Sequence, residues 1–88
     1  MSDVNIALTY PLENGTKALT MRRPRVRDML AAEKAKGSDA EKEIAMFSNL
    51  CEVAPSDIEA LDMADYLQLQ EAYRGFLSSA RPTLEKHA

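Results

Sequence analysis

Apolar and polar residues alternate from Val4 to Tyr10. Val4, Ile6, Leu8 and Tyr10 fall on one side, Asn5, Ala7 and Thr9 on the other. Period-two alternation marks a half-buried strand. Asn14-Gly15 comes next, a pair that tolerates the positive φ of a tight hairpin turn. Folding the chain back about that pair predicts a ladder in which Tyr10 faces Leu19 and Leu8 faces Met21, apolar against apolar. A lone hairpin is not stable in water, so its apolar face needs cover from the rest of the chain.

The period then becomes helical. Val26, Met29 and Leu30 predict the buried stripe of a first helix, with Pro24 in its first turn and Gly37 just past its end. Ser38 and Glu41 have the spacing of a capping box. It opens a second helix whose inward residues are Ala40, Ile44, Phe47, Leu50 and Cys51. Pro55 breaks the pattern, and Ser56 is placed to cap a short turn carrying Ile58 and Leu61. Asp62 caps the last helix, with Asp65 in its first turn favoured by the helix dipole. Its inward stripe is predicted to be Met63, Tyr66, Leu67, Leu69, Tyr73, Phe76 and Leu77. The predicted fold is α+β: an N-terminal β-hairpin followed by about three α-helices packed on one face. It forms one domain over residues 1–80, with a flexible tail over 81–88.

Composition narrows the function. At 88 residues the core is thin, which leaves room for self-association. The single cysteine, Cys51, excludes an internal disulfide and fits a reducing cytoplasm. On the apolar stripe of a helix it reads as a small buried hydrophobe. No basic stretch leads into an apolar run at the N-terminus, and no apolar run is long enough to span a bilayer. Neither a signal peptide nor membrane contact is expected.

Candidate chemistry is sparse. The only histidine is His87, next to last in the chain, and with one cysteine it gives no zinc spacing. Glycine-rich phosphate loops and Ser-x-x-Lys are absent. Asp62 and Asp65 read as capping residues rather than an acid–base pair. No catalytic set, metal site or cofactor is expected, and the chain reads as a non-enzyme that works by binding.

Charge is the informative feature. The net charge of −3 hides seven Lys/Arg against four acids up to Gly37, and four against ten after it. The halves are complementary within one molecule or head-to-tail between molecules. Arg22, Arg23, Arg25 and Arg27 crowd a helix N-terminus, where cations oppose the macrodipole by about 0.3–1 kcal/mol each. Two readings stay open: an internally paired or solvated face, and a surface for an anionic partner. Nucleic acid is the weaker partner, because four arginines without interleaved aromatics make a poor phosphate track. A small DNA-binding regulator using the Arg22–Arg27 cluster is the alternative function.

The run from Leu19 to Leu30, with its Arg22-Arg23-Pro24 joint, resembles the phage tail assembly chaperone family of Mu-like and other contractile-tailed phages and prophages. So do the run Glu43–Cys51 with its Asn49-Leu50-Cys51 end, and the run Ile58–Leu67 with its Leu61-Asp62-x-x-Asp65-Tyr66 element. The resemblance covers roughly residues 4–77. The family pattern has a glycine where this chain has Glu52, and a Ser-Pro cap where it has Ala54-Pro55-Ser56-Asp57.

The resemblance implies a non-catalytic assembly factor in the bacterial host cytoplasm, absent from the mature virion. It would bind the tape-measure protein and help recruit tail-tube subunits. The surface expected to do so combines Arg22, Arg23, Arg25 and Arg27 with apolar residues of the last helix, Tyr66, Leu69, Tyr73 and Phe76.

Overall fold

The structure is a computed structural model that describes residues 3–78. The expected tail over 81–88, with His87, and the domain's edge at residues 79–80 lie outside the described residues. The elements run β1 (Val4–Ala7), β2 (Ala18–Met21), α1 (Val26–Glu33), α2 (Asp39–Cys51), α3 (Pro55–Glu59) and α4 (Met63–Ser78). The architecture is α+β as expected, with the short turn after Pro55 forming a helix of its own, α3.

The hairpin is antiparallel, but its register differs from the prediction. Ile6 rather than Tyr10 faces Leu19, and Val4 rather than Leu8 faces Met21. The chain does turn at Asn14-Gly15, but through a three-residue loop: Gly15 alone of the pair has positive φ, and Leu12 rather than Glu13 faces Thr16. Gly15 N–H donates to Leu12 O (3.0 Å), Leu12 N–H donates to Thr16 O (2.9 Å), and Asn14 Oδ1 accepts from Thr16 N (3.0 Å). Gly15 sits at φ 94°, the left-handed position such a loop requires. Leu8 N–H then donates to Lys17 O (2.9 Å). Thr9, Tyr10 and Pro11 therefore form a bulge with no counterpart on the second strand. The alternation breaks there, so Ile6 and Leu8 are buried while Tyr10 is exposed and Val4 borderline.

The core gathers Ile6, Leu8, Leu12, Leu19 and Met21 from the hairpin, Phe47 and Leu50 from α2, Ile58 from α3, and Leu69 and Phe76 from α4. Arg22 N–H donates to Leu50 O (3.1 Å), fastening the end of β2 to α2. The α2 capping box forms as predicted. Glu41 N–H donates to Ser38 Oγ (3.2 Å) and Ser38 N–H to Glu41 Oε1 (2.8 Å), with Gly37 before it at φ 117°.

Helix α2 ends at Glu52, whose φ of 58° and ψ of 45° are left-handed. Its N–H and that of Val53 both donate to Ser48 O, and Ser48 Oγ donates to Val53 O (2.6 Å). A glycine adopts this conformation without the Cβ clash that Glu52 accepts. Asp62 caps α4 as predicted, its Oδ1 accepting from Ala64 N (2.9 Å).

Several local expectations fail. Gly37 is not the residue just past α1, which ends at Glu33 with Lys34 as its cap, and Ala40 of α2 is exposed rather than inward. Pro24 lies outside α1, because the carboxylate of Asp28 captures Arg25 N–H and makes Arg25 the extended N-cap. Ser56 does not cap α3; Ala54 holds the N-cap position and Pro55 the first helical one. The faces of α1 are reversed: Asp28 and Ala32 are buried, while Val26 is 72 % exposed and Met29 and Leu30 also face outward.

Candidate functional site

The four arginines meet different fates. Arg22 closes a two-pronged pair with Asp28, Nη1 to Oδ2 at 3.0 Å and Nη2 to Oδ1 at 2.9 Å. Asp28 is buried, and it also accepts from Arg25 N (2.8 Å) and from Asn49 Nδ2 on α2 (2.7 Å). A buried carboxylate is tolerated only with such a full set of donors. The Arg22 bond is the main force holding the Asp28 carboxyl down at about 2; the Arg25 amide and Asn49 add to it, while burial opposes it. Hydrogen bonding to Asp28 likewise raises Arg22. This knot joins β2, α1 and α2, so Arg22 is a structural residue.

Arg23 lies over the Phe76 ring, 5.5 Å from its centroid, and makes a long hydrogen bond to Phe76 O (3.4 Å). It ties the arginine joint to the end of α4. Arg25 and Arg27 are exposed and have no ion pair among the described residues. The four arginines line an open concavity of about 690 Å³ with Asp3 and Glu52 at its edge.

The α4 residues expected to meet a partner turn inward. Leu69 and Phe76 belong to the core. Tyr66 and Tyr73 are half-buried against Phe47, with ring centroids 5.6 and 5.9 Å away. The Tyr66 hydroxyl donates to Glu43, which also accepts from Gln70 Nε2 (2.9 Å). Burial first, then the Glu43 carboxylate, push the Tyr66 phenol well above its usual range. The exposed apolar residues of α4 are instead Met63, Leu67 and Leu77. Their spacing places them on one stripe, well round the helix from Leu69 and Phe76. Seven apolar residues are too many for one buried face, and that excess was the available signal. The outward Val26, Met29 and Leu30 of α1 gave no such sign.

The tertiary role of Asp65 had no signal in the sequence. Asp65 is fully buried, and its carboxylate accepts from Thr9 N (2.8 Å), Tyr10 N (2.9 Å) and Gln68 Nε2 (2.8 Å). Gln68 also donates to Ala7 O (3.0 Å). The amides left unpaired by the bulge are thus taken up by α4. Burial is the largest influence on Asp65 and would raise it, but these donors together outweigh it and hold the carboxyl below its usual range.

Cys51 is buried, and burial pushes its thiol up to about 11, so it is protonated and unreactive at neutral pH. Among the described residues no group of three or more His, Cys, Asp or Glu is placed to hold a metal ion, and no helix is long and apolar enough to cross a membrane.

The surface of this small α+β frame thus carries Arg25 and Arg27, without an ion pair among the described residues, next in the chain to exposed Val26. The chain belongs to the phage tail assembly chaperone family: the family model described as phage tail assembly chaperone proteins, E, or 41 or 14, matches residues 6–78. No curated protein and no solved structure matches.

Proposed function

We propose that the protein is a non-catalytic chaperone of the bacterial host cytoplasm that holds the tape-measure protein and helps recruit tail-tube subunits before the virion matures. The observation that carries this reading is the contact between Arg23 and Phe76. It brings the end of α4, with exposed Leu77, to the joint that carries the unpaired Arg25. Apolar side chains beside free guanidinium groups suit an amphipathic helix with acids along its edge. A long helical partner such as a tape-measure protein offers many such segments, so weak single contacts add up along it.

The DNA-binding alternative gains nothing from the geometry. Arg22 is committed to Asp28, and Phe47, Tyr66, Tyr73 and Phe76 pack inward rather than offering rings to bases.

The test is co-expression with the tape-measure protein of the same phage, followed by pull-down. Arg25→Glu/Leu77→Gln is expected to lower capture roughly tenfold, the scale of a small interface hot spot. Both positions are exposed, so the circular dichroism spectrum should not change. Undiminished capture by a folded double variant would remove this surface from the account.

A further inference from the structure

Two apolar features lie on opposite sides of α2. The first is the outer side of α1, with Val26 and Leu30 exposed and the cations Arg27 and Lys34 following along one flank; exposed Met29 instead lines a concavity shared with Glu33, Lys42 and Met46. The second is a groove of about 320 Å³ lined by Ala40, Ile44, Ile58, Leu61, Met63 and Tyr66. Residues of α2 that touch α1 include Asn49, bonded to Asp28 (2.7 Å), and Lys42, 3.6 Å from Glu33. Ala40 and Ile44 lie roughly 140–200° round the helix from these two, so the groove opens away from α1. The Val26–Leu30 side of α1 likewise points away from α2, because Leu30 stands about 160° from buried Asp28 and Ala32, whereas Met29 and Glu33 turn toward α2.

The two features also differ in charge. Glu59 borders the groove and Asp62 stands exposed between two of its lining residues. From Asp39 to Tyr66 the only cation is Lys42, which is turned toward Glu33 on the other side of α2. An apolar strip with one basic flank, its other side bordered by Glu33 paired to Lys42, thus has on the far side of the same molecule an apolar groove with acidic borders.

We infer that a second copy of this chain occupies the groove: the outer face of α1 from one molecule docks between α2, α3 and the start of α4 of the next. The two surfaces differ and face opposite ways, so the contact is heterologous and leaves one free surface at each end. It repeats into a linear array rather than closing as a twofold dimer. This inference does not depend on the tape-measure reading, since it concerns the chain alone.

Sedimentation velocity of the purified full chain tests it, using two variants at exposed positions. Val26→Gln/Leu30→Gln removes the strip, and Ala40→Arg fills the groove with a good helix former. The wild-type mass is expected to rise steadily with concentration beyond two chains. Each variant alone stays monomeric with a wild-type circular dichroism spectrum. Their equimolar mixture, which keeps one intact strip and one intact groove, reaches two chains and stops. A wild-type chain that is monomeric at millimolar concentration overturns the inference and leaves the strip to an acidic helix of another protein. So does a mixture that stays monomeric, or a variant that associates as the wild type does.

Discussion

Asp28 and Asp65 occupy the same local position, the third residue of a helix counted from its cap, and put it to different use. Asp28 stays local: it takes the amide of its own N-cap, Arg25, and pairs with Arg22 a few residues away, reaching α2 only through Asn49. Asp65 leaves its own helix start to Asp62 and instead takes the amides of Thr9 and Tyr10 from the other end of the chain. One carboxylate balances a cation, and the other serves as the missing partner for a bulged strand. An acid in the first turn of a helix is ordinarily credited with a small dipole effect. Here the larger effect comes from the donors that tertiary structure brings to it.

The sharpest break in the comparison is Asp65→Ala. It orphans the part-buried amides of Thr9 and Tyr10 and leaves Gln68 only its bond to Ala7 O, and a donor left unpaired on burial costs about 1–3 kcal/mol. A loss of about 3–4 kcal/mol in urea denaturation is expected, a large part of the stability of so small a domain. Asp28→Ala should cost less, about 2 kcal/mol, because Arg22 is partly exposed and can turn to water and to Glu52, 3.9 Å away. Equal losses would mean that the two carboxylates are interchangeable supports.

Acid titration sharpens the same contrast. Both carboxyls lie lower in the folded chain than in an unfolded one. Their contribution is therefore complete above the ordinary aspartate value of about 4. It is lost as pH falls through the folded values, which for Asp28 is about 2. The urea midpoint of the wild type should fall steeply between about pH 4 and pH 2. Each alanine variant should show a shallower fall over that range, and an unchanged slope would contradict the assignment.

Much of the frame was legible because its signals are local. The Ser38–Glu41 box, the Asn14-Gly15 turn and the Asp62 cap each involve groups within a few residues of one another. The ladder register was not legible, because the bulge at Thr9–Pro11 is held by a side chain that sequence places far away. The faces of α1 were misread because an aspartate normally marks the wet side of a helix. Arg22 and Asn49 satisfy Asp28 inside, and the apolar residues are left outside. For the same reason the arginine cluster could not be divided from sequence into Arg22, which holds the fold, and Arg25 and Arg27, which do not.

A smaller effect of opposite sign is expected at the end of α2. Glu52 is the one non-glycine residue with positive φ among the described residues. Glu52→Gly should stabilise the fold by about 1 kcal/mol, through relief of the left-handed strain. The distant Arg22 contact it gives up is exposed and weak. A higher midpoint in thermal unfolding is the expected result.

The division of the arginine joint into an inner and an outer half is tested most directly by hydrogen–deuterium exchange of the chain with and without the tape-measure protein. Binding is expected to slow exchange in the segment from Arg23 to Arg27 and in the last turn of α4. The amides of Thr9 and Tyr10, already held by Asp65, should be unchanged. Protection confined to other segments, or none under conditions where the two proteins co-purify, would contradict the account.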